Sequence, residues 1–144
     1  MPPCIVDSNV VLPLLLEQHP HRAVAATWWN DCADESVLFT LPVRMGVLRL
    51  LTNRALMGDG VLTPESAWQI VSTLLTDARA VTNHDPPLGL DIIWLRLVRG
   101  REPSPNLWTD AWLAAYAEAA NAEMVTLDRG FRSFNLKYLR LLQA

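Results

Sequence analysis

Short apolar runs, each followed by a stretch of helical spacing, recur along this chain and fix the kind of sheet it can build. Cys4-Ile5-Val6 is the first, read as a buried strand closed by Asp7. Asp7, Ser8 and Asn9 are helix-cap residue types, and residues 10–17 read as the helix they open. Residues 19–33 suit a second helix, with Ala23, Ala26, Thr27 and Trp29 on its apolar side. Residues 37–41 read as a second strand. Pro42 then stands where the first turn of a helix tolerates proline, and Met45, Val47, Leu48, Leu50 and Leu51 carry that helix to about Asn53. Thr63-Pro64-Glu65 is a further helix start, with Thr63 as cap and Pro64 at the first position. That helix runs through Trp68, Ile70, Val71, Leu74 and Leu75. His84 reads as loop, and Pro86-Pro87 breaks the chain before a helix over 88–98. Residues 99–106 form a loop, 108–120 an alanine-rich helix, 123–127 a strand, and 136–142 a last short strand. Strands alternating with helices predict an α/β fold: a three-layer α/β/α sandwich on a mainly parallel sheet.

The length of 144 residues suits one domain over residues 1–144, and 51% hydrophobic with 19% charged residues excludes a disordered chain. The apolar stretch 5–16 is interrupted by Asp7, Asn9 and Pro13 and is too short to span a bilayer. No basic leader with a cleavage site opens the chain, so a cytoplasmic location, no membrane association and reduced thiols at Cys4 and Cys32 are expected. A net charge of −3 weighs against a nucleic-acid partner. The balance reverses if clustered acids bind cations.

Three aspartates suggest such a cluster. Asp7 follows the first strand, Asp128 follows the strand Met124-Val125-Thr126-Leu127, and Asp110 lies in the first turn of the alanine-rich helix. Ligands of open α/β sheets bind outside the carboxyl ends of the strands, the edge where Asp7 and Asp128 fall. Taken singly, an aspartate at a helix start is commonly a cap, and one after a strand a turn residue. Only their convergence favours a site. Gathered carboxylates suit Mg²⁺, a hard cation that takes one or two of them together with waters and substrate phosphate. Two such ions can clamp an in-line phosphodiester displacement.

These residues carry a resemblance. Ile5-Val6-Asp7-Ser8-Asn9 resembles the opening motif of PIN domains. The segment Leu107-Trp108-Thr109-Asp110-Ala111-Trp112-Leu113-Ala114-Ala115-Tyr116-Ala117 resembles their third acidic motif, and Val125-Thr126-Leu127-Asp128-Arg129-Gly130-Phe131 their fourth. Leu48-Arg49-Leu50-Leu51-Thr52-Asn53 is similar to a segment of the VapC toxins within that family. The resemblance implies a Mg²⁺- or Mn²⁺-dependent endoribonuclease, the toxin of a bacterial type II toxin–antitoxin pair. It further implies an RNA substrate (tRNA, rRNA or mRNA), a cognate antitoxin and a homodimer. Carried over by position, Asp7, Asp110 and Asp128 are the catalytic and metal-holding residues. Asn9 supports the first aspartate and Thr126 lines the same edge.

One position departs from the pattern. Aligned through Gly46 and Arg49, the glutamate that PIN domains carry on the helix after the second strand is Arg44 here. Arg44 is expected to point toward Asp7 and Asp110. Three readings stay open: a site of three aspartates holding one metal, an arginine that pairs with the acids or clamps phosphate in bidentate fashion, and an inactive remnant. The last leads to the alternative function, a catalytically impaired PIN-like module that binds RNA or protein. A phosphohydrolase with a nucleophilic aspartate is a more distant rival, since Asn9 stands where its second aspartate belongs.

Trp108, two residues from Asp110, is the tryptophan best positioned to meet substrate. The other five, Trp28, Trp29, Trp68, Trp94 and Trp112, read as core or dimer contacts. His19 and His21 read as solvated loop residues. Arg96, Arg99 and Arg101 form a local basic cluster suited to a phosphate backbone or a solvated face alike.

Overall fold

The computed structural model describes residues 2–82 and 85–143; His84 lies outside them. The elements are β1 (Cys4–Val6), α1 (Ser8–Leu15), α2 (Arg22–Asn30), β2 (Val37–Leu38), α3 (Leu41–Leu51), α4 (Arg54–Met57), α5 (Pro64–Leu75), β3 (Ala80–Val81), α6 (Leu90–Val98), α7 (Leu107–Ala120), β4 (Glu123–Thr126) and β5 (Leu139–Leu141). Among the described residues the sheet has five strands in the order β3-β2-β1-β4-β5, and every pairing is parallel. All carboxyl ends therefore fall on one edge. β1 sits at the centre, Ile5 against Leu38 on one side and Met124 on the other. Ile5, Val6, Val37, Met124 and Val125 are wholly buried, as the central strands of a parallel sheet must be.

Helices α1, α2, α3 and α5 pack on one another as one group, and α6 packs on α7 as a second. α7 crosses β1 and β4 with Ala111, Ala114, Ala115 and Ala117 buried. Small side chains there let the helix backbone approach the sheet closely. α7 stops at Asn121, whose left-handed backbone (φ 54°) closes the helix. Trp28 and Trp29 are core residues, Trp94 and Trp112 are half-buried, and Trp68 and Trp108 are exposed. Cys4 and Cys32 are free thiols.

The fold departs from the sequence reading at its shortest elements. β3 was not expected: its two residues, paired Val37 to Ala80 and Leu38 to Val81, are too few to display a period. The second strand ends at Leu38 instead of residue 41, because Thr40 takes cap geometry (φ −70°, ψ 159°) and α3 begins at Leu41. The stretch 129–134 is a 3₁₀ turn, so β5 starts at Leu139 instead of residue 136. α2 keeps only residues 22–30 of the expected 19–33. Among the described residues no helix is long and apolar enough to cross a membrane.

Candidate active site

Asp7 caps α1 as β1 ends. Its Oδ1 accepts from the Ser8 backbone N–H at 2.7 Å, and its Oδ2 accepts from the Thr126 hydroxyl at 2.9 Å. Thr126 is the last residue of β4 and is completely buried. Its Oγ1 also accepts from Asn9 Nδ2 at 3.1 Å and from the Asp128 backbone N–H at 3.0 Å. Asn9 Oδ1 in turn accepts from the Leu127 N–H at 3.1 Å. One buried hydroxyl thus ties the carboxylate after β1 to the backbone that carries the aspartate after β4. Asn9 makes no direct bond to the first aspartate and reaches it only through Thr126. Thr126 does not line the edge as a substrate contact: with no exposed surface it can only position Asp7.

Asp128 is exposed and caps its own turn, accepting from the Gly130 N–H at 2.8 Å. Asp110 lies in the first turn of α7 and is half-buried. Asp7, Asp110 and Asp128 line one cavity of ≈ 270 Å³, together with Ser8 and Asn9 of α1, Pro42, Val43, Gly46, Arg49 and Leu50 of α3, and Asn106, Thr109 and Leu113. The sequence expectation that the three acids meet at one sheet edge agrees with this placement.

The electrostatics are those of acids that form no ion pair among the described residues. Burial pushes the Asp7 carboxyl up and Asp128 adds to this, while the bonds from Thr126 and Ser8 oppose it. Asp110 is pushed up from 3.8 to about 7, first by burial, then by the charges of Asp7 and Asp128. Among the described residues its carboxylate accepts no hydrogen bond and forms no ion pair. A divalent cation is the partner this donor set lacks, so the residues fit one. The fit is loose: among the described residues no three His, Cys, Asp or Glu side chains gather tightly enough to enclose a metal ion. Mg²⁺ requires no such cage, since it keeps several of its waters.

Two expectations are corrected. Arg44 is absent from the residues lining the acidic cavity and lines a neighbouring one with Thr40, Trp112 and Tyr116. On α3 the positions facing the acids are 42, 43, 46, 49 and 50, and residue 44 falls on an adjoining face because successive helical residues turn by about 100°. The cation that does line the acidic cavity is Arg49, used above only as an alignment anchor. Helical spacing from Val43 and Gly46 would have found it. Trp108 is also absent from that cavity. It is exposed, and Trp94 meets its ring edge-on at 5.9 Å while donating to its carbonyl at 3.0 Å.

His19 and His21 line a groove that shares Ser8, Asn9, Leu50 and Asp128 with the acidic cavity, nearer the site than a solvated loop implies. The basic cluster dissolves. Arg96 pairs with Glu118, and Arg101 is fixed by Ser133 and the Leu97 carbonyl beneath its stack on Phe134.

The model of the PIN domain family matches residues 4–136. Ribonuclease VapC41 of Mycobacterium tuberculosis is 34% identical over 142 residues, covering 96% of this chain and 97% of its own. Ribonuclease VapC43 of the same species is 32% identical over 133 residues, covering 90% and 88%. The chain belongs to the PIN-domain family and, within it, to the VapC-type members. Among solved structures the fold is similar to M. tuberculosis VapC20, described as a sarcin-ricin loop cleaving toxin (TM-score 0.66, 17% identity, 92% of this chain and 95% of that one). It is also similar to VapBC2 of Rickettsia felis bound to a DNA fragment from its promoter (TM-score 0.63, 15% identity, 97% and 98%).

Proposed function

We propose that the protein is a divalent-metal-dependent endoribonuclease and the toxin of a toxin–antitoxin pair. The observation that carries this is the convergence of Asp7, Asp110 and Asp128 on one cavity with Asp110 left without a partner. Asp7, Asp110 and Asp128 would hold Mg²⁺ or Mn²⁺ in part through the ion's own waters. When bound, such a cation polarises a phosphoryl oxygen and lowers the pKa of its water. The chain's own residues do the rest. Thr126 and the Ser8 amide hold Asp7 in one orientation. Asn9 keeps the two strand ends in register through Thr126 and Leu127. Arg49, in the same cavity, offers a guanidinium to the non-bridging oxygens of the phosphate being cut.

RNA as the substrate rests on the relatives named ribonucleases. An antitoxin partner rests on structural neighbours solved as VapBC complexes. A homodimer is supported by the exposed apolar residues Ile92 and Leu95 of α6, Leu88 just before it, and Leu41 and Met45 of α3, the kind of surface that marks an interface. The impaired-module reading rested on Arg44 standing among the acids; Arg44 lines a different cavity, and the cation beside the acids is Arg49.

The test is cleavage of total RNA with and without Mn²⁺. Wild-type protein is expected to cut only with the metal, and Asp7→Asn and Asp110→Asn to lose about 100-fold or more in rate, the scale of a lost electrostatic contribution. Metal-independent cleavage, or full activity in both variants, would overturn the reading.

A further inference from the structure

The cavity beside the acidic one carries two buried polar atoms that nothing among the described residues satisfies. Thr40 stands at the carboxyl end of β2 and is only 7% exposed, yet its Oγ1 has no hydrogen-bond partner. It takes cap geometry for α3 but makes no side-chain cap bond. One turn on, Arg44 donates its backbone N–H to the Thr40 carbonyl, while its buried Nε is also unpartnered. Buried polar groups are almost always paired. Two orphans in adjacent positions, both lining a cavity of ≈ 340 Å³, mark a place built for something else.

Its chemistry can be read from its walls. The guanidinium, the hydroxyl and the N-terminus of an eleven-residue helix all favour an anion. Half-buried Trp112 lines the same cavity, backed by the buried Tyr116 ring 5.4 Å away, and offers an indole face of the kind that nucleic-acid bases stack upon. Pro42 is a wall of both cavities, and α7 serves both, with Asp110 in one and Trp112 in the other. The cavity stands at the end of β2, one strand from β1. Strand spacing puts it about 5–10 Å from Asp7, the scale of one nucleotide step.

We infer that this cavity is a nucleotide subsite, in which Arg44 and Thr40 take the phosphate and Trp112 takes the base of the residue next to the one cut. The inference rests on the ribonuclease reading and extends it. The residue that breaks the expected acidic pattern then contacts substrate away from the metal. A carboxylate of a partner protein would also satisfy the guanidinium, but it would leave the aromatic wall without a role.

The experiment measures anisotropy of a fluorescein-labelled, mixed-sequence 12-nucleotide single-stranded RNA in EDTA, so that nothing is cut. Wild type is compared with Arg44→Gln, the near-isosteric Thr40→Val and Arg49→Gln, and circular dichroism melts exclude unfolded variants. Arg44→Gln is expected to weaken binding about fivefold and to lower the salt slope by about one, with a smaller loss in Thr40→Val. If Arg49→Gln weakens binding while Arg44→Gln and Thr40→Val bind as wild type, the subsite is refuted and the ribonuclease reading stands. If Arg44→Gln leaves RNA binding intact but lowers the oligomer mass, the cavity is a protein contact and the inference falls. If wild type neither binds nor cuts RNA, the ribonuclease reading fails and the subsite with it.

Discussion

Replacing Asp110 by asparagine tests the electrostatic account of the site through folding, without any activity measurement. Asp110 is pushed up from 3.8 to about 7 by burial and by Asp7 and Asp128. A carboxyl whose pKa is higher in the fold than in the unfolded chain makes the fold lose stability as pH rises. The loss begins above about pH 4, is complete just above pH 7, and is flat beyond. Each pKa unit corresponds to about 1.4 kcal/mol, which sets a ceiling of about 4 kcal/mol for this shift. Asp110 is half-exposed, and solvent screening reduces the effect to about 1–2 kcal/mol. Asp110→Asn removes the charge and keeps the shape. In EDTA at pH 8 it is expected to melt about 3–8 °C above wild type, with the two converging only near pH 4. Mn²⁺ in excess should reverse the order, because a ligand at 100 times its Kd adds about 2.7 kcal/mol to the form that binds it. The assay is a melting series from pH 4 to 8, with EDTA or Mn²⁺. An Asp110→Asn protein no more stable than wild type at pH 8 in EDTA would refute the argument that Asp110 bears an uncompensated charge.

Three further outcomes follow from particular contacts. Thr126→Val removes the donor to Asp7 and the acceptor for Asn9 and Asp128, so it should cost about 2–3 kcal/mol and appear in urea unfolding as an earlier midpoint at unchanged m-value. Arg44→Glu should leave Mn²⁺ affinity in calorimetry within about twofold of wild type, because Arg44 lies outside the acidic cavity; a tenfold tightening would return it to the metal site. Gly46→Ala should raise stability by about 0.5–1 kcal/mol. Its position is mid-helix and an added Cβ meets only Ser8, at ordinary contact distances of 3.7 and 3.8 Å, so a lower melting temperature would contradict the packing described for α3.

The parallel sheet and the three acids were legible in the sequence for a common physical reason. A buried strand of β-branched and apolar residues has to stop where the chain returns to solvent. In this fold that point is also where ligands bind, so Asp7 and Asp128 are flagged by the end of an apolar run. Asp110 is flagged by the helix start that follows Asn106. The side chains that failed to read correctly sit on helices, where sequence distance along one motif says little about direction. Arg44 and Arg49 are five apart, so they face different cavities. Trp108 and Asp110 are two apart and diverge by about 200° around α7. Thr126 was carried over as a lining residue from the family motif, and a motif position does not say whether its side chain reaches the surface. β3, at two residues, was below the length at which any pattern exists.

The hydroxyl of Thr126 joins residues 119 positions apart in the chain, and that separation governs when the site comes into being during synthesis. β1 leaves the ribosome early and can pair with β2. Its other flank stays open until β4 has been made, and Asp128 comes later still. No nascent chain that stops short of Asp128 carries all three acids, and none can lock Asp7 into orientation before Thr126 has emerged. Long-range pairing of this kind also forms late in folding, because its loop closure is costly. The acidic site therefore exists only after both flanks of β1 have been filled. A partner that recognises the three acids together can bind only once β4 has paired with β1.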